Sequence, residues 1–369
     1  MTKINHDDLI FLPLGGSGEI GMNANLYHYK GRWLMIDLGI SFPDDTMPGV
    51  DVVLPDLRFI EERSENLEAI ILTHAHEDHF GAIPYLWERL QVPVYGTAFT
   101  LALLRRKLAE ARLDVHIPMH EIEYNIDYNF GPFSVELVSM THSIPDPAAL
   151  VLRTPEGVVL HTGDWKFDAT PMLGEDGDKA RLRALGAEGV MALIGDSTNA
   201  MVPGHTPSEA VACAGLTKVI AEAENMVAVT CFASNVARIE SIITAASANN
   251  RSVCIAGRAL NRTISAAKEV GYLRDIPDFV PESDASLIPR ENLVIICTGS
   301  QGESRAAMAR IANGMHEQIS LNAGDTVIFS SRKIPGNEQA IGRVQDALLR
   351  GRVHLVTDEE ADVHVSGHP

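Results

Sequence analysis

The stretch His74-Ala75-His76-Glu77-Asp78-His79 decides the fold, because it places three imidazoles and a carboxylate within six residues. Residues 68–73 before it are apolar enough for a buried strand, and residues 80–90 after it carry apolar side chains at helical spacing. The pattern predicts a ligand-rich loop held at both ends by rigid elements, which is a favourable frame for a metal site. Nitrogen and carboxylate ligands without cysteine favour Zn²⁺, or Mn²⁺, over metals that prefer sulfur.

The alternative interpretation of this stretch is a polar loop whose histidines only cap or hydrogen-bond. That interpretation suits one stray histidine, but it fits four ligand-type side chains in six residues poorly. A metal site is therefore the strongest functional prediction from the sequence.

Length and composition indicate an ordinary globular protein with two domains. A chain of 369 residues can bury two separate cores, and 46% hydrophobic and 21% charged residues are typical fractions. No apolar run is long enough to cross a membrane and residues 1–8 do not resemble a secretory leader, so we expect a cytoplasmic protein without membrane association. The formal net charge of −19 argues against a protein that grips nucleic acid over its whole surface, but it is compatible with a narrow binding channel.

The four cysteines, Cys213, Cys231, Cys254 and Cys297, are far apart, and each lies in an apolar stretch. Because they form no C-x-x-C pair, buried free thiols are favoured over disulfides or metal ligands. We expect all four to be core residues.

The segment Gly16-Ser-Gly-Glu-Ile-Gly21 matches the G-x-G-x-x-G pattern of dinucleotide-binding folds, and Asp37 follows about twenty residues later. A dinucleotide site requires a helix directly after the glycines. Residues 23–29 instead alternate between apolar and polar side chains, as strands do. We therefore predict a tight turn between two strands rather than a dinucleotide site.

From about residue 206 the sequence alternates between two kinds of stretch. Strand-like runs occupy residues 226–231, 252–256, 292–297 and 326–329, and helical stretches occupy 206–224, 235–248, 259–272, 303–313 and 337–350. Such alternation predicts a parallel sheet with helices on its faces. The first part of the chain lacks this alternation, so we place a domain boundary near residue 200.

Two metal ions need more ligands than residues 74–79 supply. His142 and Asp164 follow strand-like runs at 134–139 and 157–161, so both are candidate ligands. His161 lies inside its strand pattern and is predicted to be packed or to support a ligand. Asp196 ends another strand-like run, residues 190–196.

These residues resemble the pattern of the metallo-β-lactamase superfamily, through residues 73–81 together with the later His142 and Asp164. The resemblance implies an αββα sandwich with two divalent metal ions at one edge, Zn²⁺ in the first place and otherwise Mn²⁺ or Mg²⁺. It also implies a role for each ligand. His74, His76 and His142 would hold one ion, Asp78 and His79 the other, Asp164 would bridge both, and Asp37 would be a structural aspartate near the site. The superfamily usually adds a histidine from a later strand, so we expect that the sequence is a piece of a longer protein.

The second half resembles the β-CASP domain of nucleases, and the nearest likeness is to the bacterial ribonuclease J family. The stretches that carry this likeness are residues 14–21, 161–168, 195–199, 297–303 and 364–368. The expected architecture is thus an α/β protein with a metallo-β-lactamase domain at 1–200, an inserted β-CASP domain at 201–355 and the start of a return to the first domain at 356–369.

The same resemblance implies the reaction, which is hydrolysis of RNA phosphodiester bonds both internally and processively from a 5′-monophosphate end, in RNA decay and maturation. Asp78, Asp196 and His368 are the predicted catalytic residues, with His368 facing the scissile phosphate as an acid or charge stabiliser. The expected partner is single-stranded RNA, and family members assemble as homodimers or homotetramers when full length.

A pocket for the 5′-phosphate needs hydroxyl and backbone N–H groups at strand ends. The predicted pocket residues are Ser234, Asn235, His364, Ser366, Gly367 and His368. For Ser234 and Asn235, ordinary capping of the following helix is an equally good interpretation.

Two other functions compete with the nuclease. A small-molecule metallohydrolase of the same superfamily would not need an inserted domain with its own strand-end motifs. An RNA-binding partner with a dead site would not need the complete ligand set of His74, His76, Asp78, His79, His142 and Asp164.

Overall fold

The computed structural model describes residues 5–43, 47–111 and 116–369. It divides into two compact units. The first unit comprises Met1–Phe167, Asp176–Gly204 and His368–Pro369, and the second comprises Asp168–Glu175 and His205–Gly367.

The last segment of the chain groups mostly with the second unit. Residues up to Gly367 belong to that unit, and His368–Pro369 belong to the first. The carbonyl oxygens of Val363 and Val365 accept hydrogen bonds from Arg238 of the second unit, which accounts for this grouping. The domain boundaries at residues 200 and 355 stay a prediction.

The first unit contains a six-stranded sheet. Its strands are β1 Ile10–Gly15, β2 Ala24–Tyr29, β3 Arg32–Ile36, β4 Leu67–Ile71, β5 Val94–Gly96 and β6 Met119–Glu121. They lie in the order β1-β2-β3-β4-β5-β6, antiparallel from β1 to β3 and parallel from β3 to β6. Because β2 follows the glycine-rich segment directly, the predicted turn between two strands is confirmed and the dinucleotide-site alternative is excluded.

Within the described residues, the first unit also contains a five-stranded sheet and five α-helices. The strands are β7 Asp127–Phe130, β8 Phe133–Ser139, β9 Ala148–Thr154, β10 Gly157–His161 and β11 Ala192–Ile194, in the order β11-β10-β9-β8-β7. The helices are α1 Arg58–Glu61, α2 Glu77–Phe80, α3 Ile83–Leu90, α4 Ala98–Glu110 and α5 Lys179–Glu188.

The core of the first unit lies between its two sheets. Side chains such as Leu34 and Ile71 from one sheet pack with Val135 and Leu150 from the other. Leu185 of α5 packs on the outer face of the second sheet, and α4 contacts β5 and β6 of the first sheet. The layers are therefore those of the αββα sandwich that the resemblance implies.

The second unit is a parallel sheet with helices between its strands, as the alternation predicted. The strands are β12 Val227–Thr230, β13 Ser252–Ala256, β14 Leu293–Cys297, β15 Thr326–Phe329 and β16 His354–Val356. The helices are α6 Glu209–Glu222, α7 Val236–Ala248, α8 Arg258–Glu269, α9 Ala307–Ala312 and α10 Glu338–Arg350. The strand order is β13-β14-β12-β15-β16, with every pair parallel. Among all the residues described, no helix has the length and apolar character needed to cross a membrane.

The cysteines and tryptophans are divided between the units. All four cysteines are buried and free, as predicted, and all lie in the second unit. Burial raises the pKa of Cys231 and Cys254 to about 12. The three tryptophans, Trp33, Trp87 and Trp165, lie in the first unit.

Candidate metal centre

The ligand loop predicted at residues 74–79 is a loop only over residues 74–76, because Glu77–His79 begin helix α2. The whole stretch 74–79, called the ligand loop below, is fixed through its main chain. Three of its carbonyl oxygens accept hydrogen bonds from residues 23, 38 and 40. The bonds are Ile40 N to Glu77 O (3.0 Å), Asn23 N to Asp78 O (2.8 Å) and Leu38 N to His79 O (2.7 Å). Gly39 lies so close to the loop that a Cβ at this position would be 1.7 Å from the carbonyl oxygen of Asp78. The loop therefore keeps its position only with a glycine at residue 39.

His74, His76, His142 and Asp164 form the first group of potential ligands. One ligand atom from each lies within 4.8 Å of the others. His76 Nδ1 is 3.0 Å from His74 Nε2 and 3.1 Å from His142 Nε2. Burial lowers the pKa of His74 and of His76 well below the ordinary value, so both imidazoles are neutral, which is the form that binds metals.

Asp78, His79 and Asp164 form the second group, and Asp164 belongs to both. The Asp164 Oδ2 atom is 3.3 Å from His79 Nε2 and 3.8 Å from both His74 Nε2 and His142 Nε2. Burial alone would raise the pKa of Asp164, but the charge and hydrogen bond of His79 lower it well below the usual range. An ionised carboxylate therefore lies between the two groups.

Asp37 supports the second group from behind. Its backbone has φ 62°, in the left-handed region that is costly for most residues. Its carboxylate accepts hydrogen bonds from Thr73 N (2.8 Å), Thr73 Oγ1 (2.8 Å) and His79 Nδ1 (2.7 Å). Because Nδ1 of His79 donates to Asp37, Nε2 is the nitrogen left for a metal.

Replacing Asp37 with asparagine should weaken metal binding while leaving the fold intact. Asparagine also tolerates φ above zero, but its amide lacks the charge that orients His79. Loss of such a supporting carboxylate lowers metal affinity by about 10- to 100-fold. Metal titration of the purified variant would measure this, with Asp146→Asn as the control, since Asp146 is another aspartate of this unit with positive φ (55°). An unchanged affinity in Asp37→Asn would contradict the role given to Asp37.

Asp196 and His368 form a pair beside the ligand groups. Asp196 Oδ2 accepts a 2.6 Å hydrogen bond from His368 Nδ1, and the His368 ring centroid is 5.1 Å from that of His142. The Asp196 carboxylate also accepts from Thr198 N (2.8 Å). Burial lowers the pKa of His368, but the hydrogen bond that His368 donates to Asp196 and the charge of Asp164 outweigh burial, so the net shift of this pKa is upward. Asp164, Asp196 and His368 form a third group of potential ligands.

The other predicted pocket residues belong to the second unit. The Asn235 side chain caps α7, because its Oδ1 accepts from Arg238 N at 2.8 Å. His364, Ser366 and Gly367 are half-buried in the segment that precedes His368. Binding of a phosphate by these residues and by Ser234 stays a prediction.

Three polar residues near the ligands were not identified from the sequence. Thr73 Oγ1 is 3.0 Å from His74 Nδ1, and Ser143 Oγ is 3.5 Å from His76 Nε2. Each is a sequence neighbour of a predicted ligand, which is a signal that could have been used. Asn23 Nδ2 is 3.1 Å from His79 Nε2, and no local pattern points to it.

The residues present fit a pair of divalent metal ions. Four imidazoles and two carboxylates converge, and they come from His74, His76, His79, His142, Asp78 and Asp164. This set of nitrogen and oxygen donors suits Zn²⁺ or Mn²⁺. His161 lies outside the groups and is buried, with its Nδ1 2.9 Å from the hydroxyl of Tyr27.

Two family models match the chain, one for each part. Residues 18–205 match the model of the metallo-β-lactamase superfamily. Residues 224–348 match the model described as ribonuclease J, β-CASP domain. A crystal structure of a protein of unknown function from Enterococcus faecalis V583 has a similar fold, with a TM-score of 0.67, 18% identity, and coverage of 97% of this chain and 88% of that one.

Curated relatives are similar along the whole chain. The chain is 49% identical to ribonuclease J of Sinorhizobium meliloti, over 100% of this chain and 67% of the relative. It is 44% identical to ribonuclease J of Mycolicibacterium smegmatis (96% and 64%) and 40% identical to ribonuclease J 1 of Streptococcus pyogenes (100% and 66%). It thus spans about two thirds of the length of these relatives. With the ligand groups in place and both models matched, the chain belongs to the ribonuclease J family within the metallo-β-lactamase superfamily.

Proposed function

We propose that the chain is the nuclease part of a metal-dependent ribonuclease that hydrolyses RNA phosphodiester bonds. It acts as a 5′-to-3′ exonuclease that prefers 5′-monophosphate ends and also as an endonuclease, in RNA decay and maturation in the cytoplasm. The observation that carries the proposal is the convergence of four imidazoles and two carboxylates at one place in a chain of the ribonuclease J family.

The protonation states of the candidate ligands suit metal-dependent phosphodiester hydrolysis. A pair of divalent ions supplies activation of water and stabilisation of charge on phosphoryl oxygens. Neutral His74 and His76 and ionised Asp164 have the protonation states that such ions require. Asp37 holds one proton of His79 on Nδ1. Despite burial, the carboxylates of Asp164, Asp78 and Asp37 raise the pKa of His79, so the proton on Nε2 would be displaced when an ion binds that nitrogen.

His368 is the proposed proton donor. Asp196 accepts the hydrogen on Nδ1, and the raised pKa of His368 favours a second proton on Nε2. An imidazolium of this kind can donate its Nε2 proton to the leaving oxygen or stabilise charge on the phosphate. Asp196 would orient the ring throughout.

The proposed 5′-phosphate pocket uses Ser234, Asn235, His364, Ser366, Gly367 and His368. Because capping of α7 occupies Oδ1 of Asn235, the contribution of Asn235 to phosphate binding would come from its Nδ2 donor. The substrate is single-stranded RNA, and the full-length protein would form a homodimer or homotetramer.

The proposal is tested with the natural full-length protein and matched RNAs that carry 5′-monophosphate or 5′-triphosphate ends. Mn²⁺ or Zn²⁺ is supplied, and chelator is added to parallel samples. We expect metal-dependent release of mononucleotides that is faster from the monophosphate end. Internal cuts alone would keep the nuclease and reject the pocket, and no cleavage with either metal would reject the nuclease.

Asp78→Asn combined with His79→Asn should separate catalysis from RNA binding. Removing both ligands should lower cleavage by about 10²- to 10⁴-fold, the scale of a lost catalytic group, while RNA affinity changes little. Cleavage assays and equilibrium RNA binding are measured together. His6→Asn with Asp7→Asn is the matched control, since this His–Asp pair of the same unit is 69% and 68% exposed. Persistent cleavage in a double variant shown to be free of metal would overturn the mechanism.

A further inference from the structure

Arg238 on α7 is a charged side chain with no exposed surface. Its guanidinium contacts three parts of the second unit. The partners are Glu209 Oε1 (2.6 Å) and Oε2 (3.1 Å), Ser330 O (2.9 Å) and Oγ (2.8 Å), Val363 O (3.2 Å), His364 Nδ1 (3.1 Å) and Val365 O (3.2 Å). One side chain therefore joins α6, the end of β15 and residues 363–365.

Residues 363–365 alternate in burial as an extended strand does, but they belong to none of the strands of the three sheets among the described residues. Val363 and Val365 are buried, whereas the alternate residues His364 and Ser366 are half-buried. In an extended chain, carbonyl groups two residues apart point to the same side. The guanidinium donates to both of them, at Val363 and Val365, so Arg238 takes the place of a neighbouring strand.

The guanidinium itself is held rigidly. Glu209 binds it through both carboxylate oxygens, and Glu209 Oε1 also accepts from Ser241 Oγ at 3.0 Å. Ser330 Oγ donates to Val363 O at 2.6 Å, which ties the segment to β15 a second time. A planar fork with five N–H donors can reach Glu209, Ser330 and residues 363–365 together, with some of its hydrogens shared between acceptors, whereas the three donors of a lysine ammonium cannot.

We propose that Arg238 is a positioning residue. It fixes residues 363–367 so that His364 and Ser366 contact the 5′-phosphate of the substrate in one orientation. Its consequence for activity rests on the ribonuclease function proposed above. The positioning itself is a property of the second unit and can be measured without substrate.

The test compares Arg238→Lys with the wild type in the natural full-length protein. Amide hydrogen exchange at residues 363–367 should become about tenfold faster or more, because the segment loses the bonds from the guanidinium to the carbonyl oxygens of Val363 and Val365. The KM for RNA should rise about tenfold while kcat changes little, since binding rather than the reacting groups is affected. Hydrolysis of bis(p-nitrophenyl) phosphate, a small diester, should be unchanged.

Arg251→Lys is the matched control. Arg251 is also buried, and its guanidinium also donates to two main-chain carbonyls, those of Ala223 and Asn225. It should leave exchange at residues 363–367 and the KM for RNA unchanged. Equal effects in both variants would show a general loss of stability and would overturn the proposal.

A second variant, Ser330→Ala, covers the case in which Arg238→Lys does not fold. It removes one hydrogen bond to Val363 and one partner of Arg238, so it should accelerate exchange in the same segment by a smaller factor. Unchanged exchange in the folded variants would overturn the positioning role, and faster exchange with unchanged KM would overturn its link to substrate. If the wild type did not cleave RNA, the proposed function would fail, and the exchange measurement would still decide the positioning role.

Discussion

Replacing Asp164 with asparagine is expected to lower metal-dependent phosphodiester hydrolysis by orders of magnitude. Among the residues described, Asp164 is common to all three groups of potential ligands. The substitution should therefore remove a ligand that the groups share, which affects more than one metal position. An amide is neutral and a weaker ligand than a carboxylate. We expect activity to fall by about 10²- to 10⁴-fold and the metal content of the purified protein to fall with it.

The control for Asp164→Asn is Asp127→Asn. Asp127 is in the same unit and 65% exposed, so the variant loses the same charge without touching the ligand groups. Metal content is measured by elemental analysis and activity with RNA. Two metal ions per chain and full activity in Asp164→Asn would falsify the bridging role.

Replacing Gly39 with alanine is expected to displace the ligand loop. The new Cβ would lie 1.7 Å from Asp78 O and 2.6 Å from His79 N, distances that only a backbone shift can relieve. Overpacking typically lowers the free energy of unfolding by about 1–3 kcal/mol and occasionally by more. A clash with main-chain atoms, which cannot rotate away, belongs at the upper end of this range. The same shift would break the bonds from Leu38 and Ile40 to the loop, so metal affinity and melting temperature should fall together.

Gly186→Ala is the matched control for this effect. Gly186 lies in α5 of the same unit, and a Cβ there would meet nothing within 4 Å. Alanine in a helix should be neutral or stabilise by about 0.5–1 kcal/mol. Thermal unfolding and metal titration of the two variants should therefore diverge, and similar behaviour would contradict the close approach at Gly39.

The sequence predicts four of the five strands of the second unit, because those four are continuous apolar runs, and it misses the three-residue strand β16. The run at 252–256 is found as β13 with unchanged bounds. Helices and strands with few buried side chains cannot be predicted from the spacing of apolar residues. α5 buries only Leu185 fully, so its helical period is weak, and β6 is a three-residue strand without a fully buried residue.

The candidate ligands could be predicted for a similar reason. His74, His76, Asp78 and His79 are close in sequence, and His142 and Asp164 follow strands, so local pattern places them. Asn23 and Arg238 could not be predicted in this way. Their surroundings depend on residues far along the chain, such as His79 for Asn23 and Val365 for Arg238. An arginine inside a helix gives no sign in sequence that it is fully buried.

The division of tryptophan and cysteine between the units has a practical consequence. With every indole in the first unit and every thiol in the second, the chain carries two built-in reporters that do not overlap. Intrinsic fluorescence follows the opening of the sandwich. Alkylation by a thiol reagent requires the parallel-sheet unit to open, since burial keeps its thiols protonated and out of reach. The order in which the two units unfold in denaturant can thus be measured with the natural side chains, without an added label.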